Sequence, residues 1–178
     1  MALYLNSIAF TSNRNVNREE VLKLAHLVRS MILKVPCQIQ SESDSTFEDA
    51  LIEVAESSHC FAVGCLNDRL FYVLLPDVSQ LFSRTSSALI SKFALESDCL
   101  RLFVSAAYST TGCGMFIHFE RDLFTRGWYG NGESDGIRLA EEPSEYSTDF
   151  DYVLETLKRF GFPVLGTYDN GICMLCGS

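Results

Sequence analysis

The stretch NGESDGIRLAEE, Asn131 to Glu142, holds the residue types that bind a divalent cation. With Asn131 at position one, Glu133 falls at three, Asp135 at five, Gly136 at six and Glu142 at twelve. That is the rhythm of a calcium loop, in which oxygens converge and glycine permits the sharp turn. Three features oppose it. Asn131 stands where the first Asp is usual, and Arg138 brings a cation to a place that is normally apolar. The flanks also fail to read as helices: FTRGWYG precedes the loop and Pro143 follows it directly. A phosphate loop fits less well. Gly130, Gly132 and Gly136 lack the dinucleotide-binding spacing, and Glu133 and Asp135 would repel a pyrophosphate. The expectation is therefore no cofactor and no metal, with a calcium-binding module as an alternative.

Thiols and imidazoles are the other groups that could do chemistry. The chain has 7 cysteines and 3 histidines. Cys173 and Cys176 form a C-x-x-C, but no second pair completes a zinc site. In a strand the two would face opposite ways, as core thiols. Cys113 and His118 are five apart on one expected strand, so they also point to opposite faces. His26 falls on the polar face of a helix, in line with Lys23 and Ser30, and His59 opens a strand. No G-x-S-x-G marks a hydrolase and no G-x-x-x-x-G-K marks an NTPase. A small cytoplasmic enzyme remains as an alternative, provided Cys113, Cys60 or Cys65 meets a histidine in three dimensions and its thiol pKa is depressed.

What is left is an acidic loop beside aromatic residues. GWYG sets the sole tryptophan, Trp128, and Tyr129 between two glycines, just before the acids. Trp and Tyr are favoured interface anchors, and carboxylates around them steer basic partners. The expected contact residues are Trp128, Tyr129, Glu133, Asp135, Glu141 and Glu142. Glu53 and Glu56 widen the same acidic face. The competing reading makes Trp128 a core residue at a strand end.

These residues need elements to position them. Residues 2–10 read as a strand. Asn17 can cap a helix whose apolar positions Val21, Leu24, Ala25, Val28, Met31, Ile32 and Val35 recur at helical spacing until Pro36. A second helix starts near Thr46, with Phe47, Ala50, Leu51, Val54 and Ala55 inward. Asp49, Glu53 and Glu56 form an acidic stripe outward. Residues 59–66 and 69–75 flank Asn67-Asp68 and predict a hairpin. LFYVLL, apolar at every position, predicts a strand buried on both faces. A helical or irregular stretch over 77–96 leads to a strand pair, 100–108 and 113–120. A last helix begins near Ser147 or Thr148, buries Phe150, Val153, Leu154, Leu157 and Phe160, and ends at Gly161. Asn170-Gly171 predicts a closing hairpin. The sum is one α+β domain over 1–178: a mainly antiparallel sheet with helices packed on one face.

Charge narrows the partner. The net charge of −9 is uneven. Residues 1–40 hold five basic and two acidic side chains, 42–56 hold six acids and no base, and 131–156 hold eight acids and one base. Such a surface repels phosphate backbones and attracts basic proteins, so nucleic acid is not expected as a partner. The longest uncharged run, Leu102 to Phe119, carries YSTTGCG at its middle and reads as strand–turn–strand, so no membrane span is expected. The start MALYLNSIAF lacks a basic region and a long apolar core, and no lipidation signal appears. Free thiols in a reducing, cytoplasmic compartment are the expectation.

The stretch GWYGNGESDGIRLAEEP, followed by DFDYVLETLKRFG, resembles small acidic immunity proteins of bacterial polymorphic toxin systems. The resemblance covers roughly Gly127 to Pro163. It implies a non-enzymatic cytoplasmic protein that binds and blocks a cognate toxin domain. A basic toxin, such as a nuclease, would suit the acidic face.

Overall fold

The computed structural model describes residues 4–15, 17–34, 41–66, 70–82, 86–120, 123–129, 149–159, 161 and 171–177. At 4, 41, 42, 87, 113, 123–129 and 149 it describes the backbone alone. Strands are β1 (Tyr4–Ser12), β2 (Ser41–Asp44), β3 (Cys60–Leu66), β4 (Leu70–Leu74), β5 (Cys99–Tyr108), β6 (Cys113–Glu120), β7 (Leu123–Tyr129) and β8 (Gly171–Gly177). Helices are α1 (Arg18–Leu27), α2 (Phe47–Glu56), α3 (Ser86–Glu96) and α4 (Asp149–Arg159).

The strands form one antiparallel sheet in the order β2-β8-β3-β4-β1-β5-β6-β7. The α+β class and the antiparallel sheet are as expected. The placement of helices is a correction. Along β1, Ile8 and Phe10 join a core with Val21 and Leu24 of α1, Val28 just after it, and Ile90 and Phe93 of α3. The alternate residues Leu5 and Ala9 join a core with Phe47, Leu51 and Val54 of α2 and Val153 and Leu157 of α4. Side chains alternate along a strand, so the two cores lie on opposite faces. Helices therefore cover both faces, not one. The reason is in the central strands: β3 and β4 are buried at every position, and one layer of helices would leave half of those side chains in water.

Local chemistry sets the helix ends. The Asn17 side chain accepts the Glu20 N–H at 2.9 Å, one of the amides that α1 itself leaves without a partner. After Leu27 the helix widens to a π-helical turn, Val28–Leu33, and stops at Lys34, whose φ of 55° is left-handed. The stop falls two residues before Pro36. Within that turn Arg29 is buried and its Nη1 donates to the Gly177 carbonyl at 3.2 Å, tying α1's face to the end of β8. Gly161, with a φ of 75°, closes α4, and its N–H reaches the Lys158 carbonyl at 2.9 Å. Only glycine takes that conformation at little cost.

Several expectations shift in detail. α4 is described from Asp149, beside the expected start at Ser147 or Thr148, which lie outside the described residues, and it buries Tyr152 and Thr156 as well as Val153 and Leu157. Phe150 and Leu154 are half-buried, and Phe160 lies outside the described residues. Ala55, expected inward, is exposed. β2 and β7 are elements the hydrophobic pattern did not reveal. The β3–β4 pairing is present, with Leu66 opposite Leu70, while Asn67-Asp68 lies outside the described residues. The first arm of the hairpin expected at Asn170-Gly171 also lies outside them. The second arm, β8, is flanked by β3 and β2.

Candidate docking surface

Of the residues singled out from sequence, Glu53 and Glu56 are the best placed by the structure. They lie on α2, which Thr46 begins. Its hydroxyl accepts the Asp49 N–H at 3.1 Å and is 2.7 Å from the Asp49 carboxylate. Phe47, Ala50, Leu51 and Val54 are buried beneath, with Phe47 meeting Tyr72 edge-on at 5.0 Å. This inward stripe turns Glu48, Asp49, Glu53 and Glu56 to solvent. Glu48 was not part of the stripe read from spacing. Ile52 also lies outward, 39% exposed, and it too was missed. A helical wheel would have flagged it, because it is out of phase with the buried positions.

The four α2 carboxylates differ from the other helical acids. Glu19 and Glu20 of α1 pair with Lys23 at 2.8 Å, and Glu20 also pairs with Arg14 at 3.1 Å. Glu96 pairs with Lys92 at 3.6 Å and Glu155 with Lys158 at 3.4 Å. Asp44, just ahead of α2, pairs with Arg18. Among the described residues, none of the α2 carboxylates has a cationic partner within 4.0 Å. The sequence explains the difference. FEDALIEVAE contains no base that could lie three or four residues from an acid.

Trp128 and Tyr129 lie on β7, the last strand of the sheet, where their backbones register with Phe116 and Met115 of β6. Their side chains lie outside the description, as do Glu133, Asp135, Glu141, Glu142 and the whole calcium-like loop. Among the described residues, no three His, Cys, Asp or Glu side chains stand where they could hold a metal ion.

Among the described residues, two of the clefts flank the sheet. One, about 310 Å³, lies between α1 and the end of α3, floored by Phe10 and Phe71, whose rings stack at 5.3 Å. Its charges satisfy one another. Arg14 bonds both Glu20 and the Glu96 carbonyl, and Lys23 bonds Glu20. The Lys23 hydrogen bond, with the charge of Arg14, holds the Glu20 carboxyl below its ordinary pKa against the effect of burial. The other, about 200 Å³, lies at the end of α2 and is lined by Leu51, Val54, Ala55, Leu74, Asn6, Asp77 and Tyr108 among others.

Cys173 faces the α2–α4 core and Cys176 the α1–α3 core, on opposite faces as the strand periodicity predicts. Burial pushes both the Cys65 and the Cys173 thiols up in pKa, whereas a nucleophile needs it lowered. Cys60 is buried, its sulfur 3.6 Å from the Glu53 carbonyl. His118 is buried and stacked on Phe103 at 4.7 Å, and His26 and His59 are exposed. The Cys113 side chain lies outside the description.

No helix among the described residues is long and apolar enough to cross a membrane. In comparisons with known proteins, no family model, no curated protein and no solved structure matches the chain.

Proposed function

We propose that this chain is a non-enzymatic acidic binding protein that docks a basic protein domain, and that the domain is a bacterial toxin which the chain neutralises in the cytoplasm. The observation that carries the reading is α2. It presents four carboxylates and an exposed Ile52 on one rigid helix, and no described cation balances them. Uncompensated charge on a helix anchored from below is what steers a partner of opposite sign, while an apolar residue within it gives the contact something to desolvate. Burial raises the pKa of Cys65, one of the three candidate nucleophiles, which counts against that thiol as a nucleophile. The toxin as target rests on the resemblance of residues 127–163 to immunity proteins. Under this reading Trp128, Tyr129, Glu133, Asp135, Glu141 and Glu142 are further contact residues beside Glu53 and Glu56; Trp128 and Tyr129 lie on β7, at the other end of the sheet from the strands beneath α2.

The test is a pull-down from the native host at low and high salt, with products of neighbouring reading frames included. A basic polypeptide should be retained at low salt and released as salt screens the acids. Recovery of no basic partner at low salt would overturn the reading.

A further inference from the structure

We propose that the cleft at the end of α2 receives one long cationic side chain, a lysine or arginine, from the protein that docks on that helix. The inference rests on the reading of α2 as a docking surface and goes on to name what the partner inserts.

The cleft, about 200 Å³, has two kinds of wall. Leu51, Val54 and Ala55 of α2 and Leu74 of β4 make an apolar side. Asn6, Tyr108 and Asp77 make a polar end. Lysine and arginine have the matching shape, an apolar stem with a charged head that stays at a polar margin. The polar end is fixed in place. Asn6 is 7% exposed, its amide donates to the Pro76 carbonyl at 2.9 Å, and it accepts from the Tyr108 hydroxyl at 3.0 Å. Asp77 is exposed, and its carboxylate accepts the Ser79 N–H and hydroxyl, both at 2.8 Å. Those bonds orient the carboxylate without cancelling its charge, and no described residue forms an ion pair with it.

The surroundings add negative potential. Val54 and Ala55 belong to the last turn of α2, the end of a helix that carries partial negative charge. An anion would meet Asp77 and that helix end, and both would repel it. A purely apolar group would strip water from Asp77 and give nothing back. A metal ion would find one carboxylate where calcium takes six to eight oxygens. The cleft beside α1 makes the contrast, because its cations and carboxylates already bond each other. Ile52 lies one turn or less from both Leu51 and Ala55 on α2, so a chain crossing the helix could rest on Ile52 while one side chain enters the cleft.

The experiment titrates the whole chain with a short synthetic arginine-rich peptide and follows backbone amides by NMR and affinity by calorimetry. Four proteins are compared: the parent, Asp77→Asn, Ala55→Trp, which fills the cleft from an exposed wall, and Glu53→Lys/Glu56→Lys. The expected result is saturable shifts at Leu51, Ala55, Asp77 and Tyr108, with peptide binding weakened about three- to tenfold by Asp77→Asn and by Ala55→Trp. Melting temperature monitors each fold. If Asp77→Asn loosens the turn at Ser79, Ala55→Trp still decides the matter. Peptide that binds the parent and both cleft variants equally, without shifts at those amides, overturns the cleft and leaves α2 as the docking helix. Peptide that binds none of the four proteins overturns both.

Discussion

Gly64 should not tolerate a single added carbon. It lies on β3 opposite Tyr72 of β4 on one side and Cys173 of β8 on the other. The Tyr72 side chain crosses over it. A Cβ built at Gly64 would fall 2.4 Å from both the ring Cζ and the hydroxyl oxygen of Tyr72, and 2.5 Å from the Ile172 carbonyl oxygen. Tyr72 is 1% exposed and held edge-on by Phe47, and the carbonyl is backbone within the sheet, so neither can swing aside freely. Glycine to alanine in an unhindered strand is favourable by up to about 1 kcal/mol, because the unfolded chain has less freedom to lose. Overpacking a core costs about 1–3 kcal/mol, and two rigid contacts place this site at or above the top of that range. The net expectation for Gly64→Ala is a loss of about 2–3 kcal/mol. For a chain of this length that lowers the melting temperature by roughly 5–10 °C. Urea unfolding should show a lower midpoint with an unchanged slope. A double-mutant cycle with Tyr72→Leu should show the alanine costing less once the ring is gone. A Gly64→Ala protein as stable as the parent would refute the account of how β3, β4 and β8 pack.

Three further outcomes follow from named contacts. Because Glu20's folded pKa is depressed, its contribution to stability is present above the ordinary carboxylate pKa of about 4.3 and fades as pH falls through the folded value. Glu20→Gln should therefore flatten the acid limb of a urea-midpoint series below about pH 5. Cys65 and Cys173 should react with a thiol reagent in the native state only as fast as the protein unfolds, with the half-buried Cys99 modified earlier; fast native labelling of Cys173 would contradict its placement. Glu53→Lys/Glu56→Lys puts positive charge at the negative end of α2, so thermal melts should show stability unchanged or raised by up to about 1 kcal/mol, while binding of a basic polypeptide slows and loses its salt dependence.

Periodicity made most of the elements legible. The 3.6-residue spacing in α1 and α2 and the capping side chains of Asn17 and Thr46 gave two helices with their starts. The apolar run LFYVLL of β4 announced a strand covered on both sides, and that observation already called for helices on two faces. β2 stayed hidden because SESD has no apolar pattern; it is held by backbone pairing to β8, which leaves no trace in side-chain type. The place of β8 between β2 and β3 was equally silent, since strand order depends on which distant edges meet. At the proposed docking surface, the stripe of Asp49, Glu53 and Glu56 was legible from spacing alone. The cleft beside it was not, because Asn6, Asp77 and Tyr108 come from three separated segments that only the folded sheet brings together.

The position of β8 has a consequence for how the protein is made. β3 and β4 pair early in the chain, yet the other edge of β3 waits for Gly171–Gly177, about a hundred residues later. β2 waits with it, because its sheet pairing is to β8. Loop closure over that distance is slow compared with forming a hairpin. During synthesis β3 therefore spends time as an open, wholly apolar edge, the kind of surface on which neighbouring chains pair wrongly. The strand that finishes the sheet also ends this interval, and the rate at which it docks sets how long the nascent chain is exposed to its neighbours.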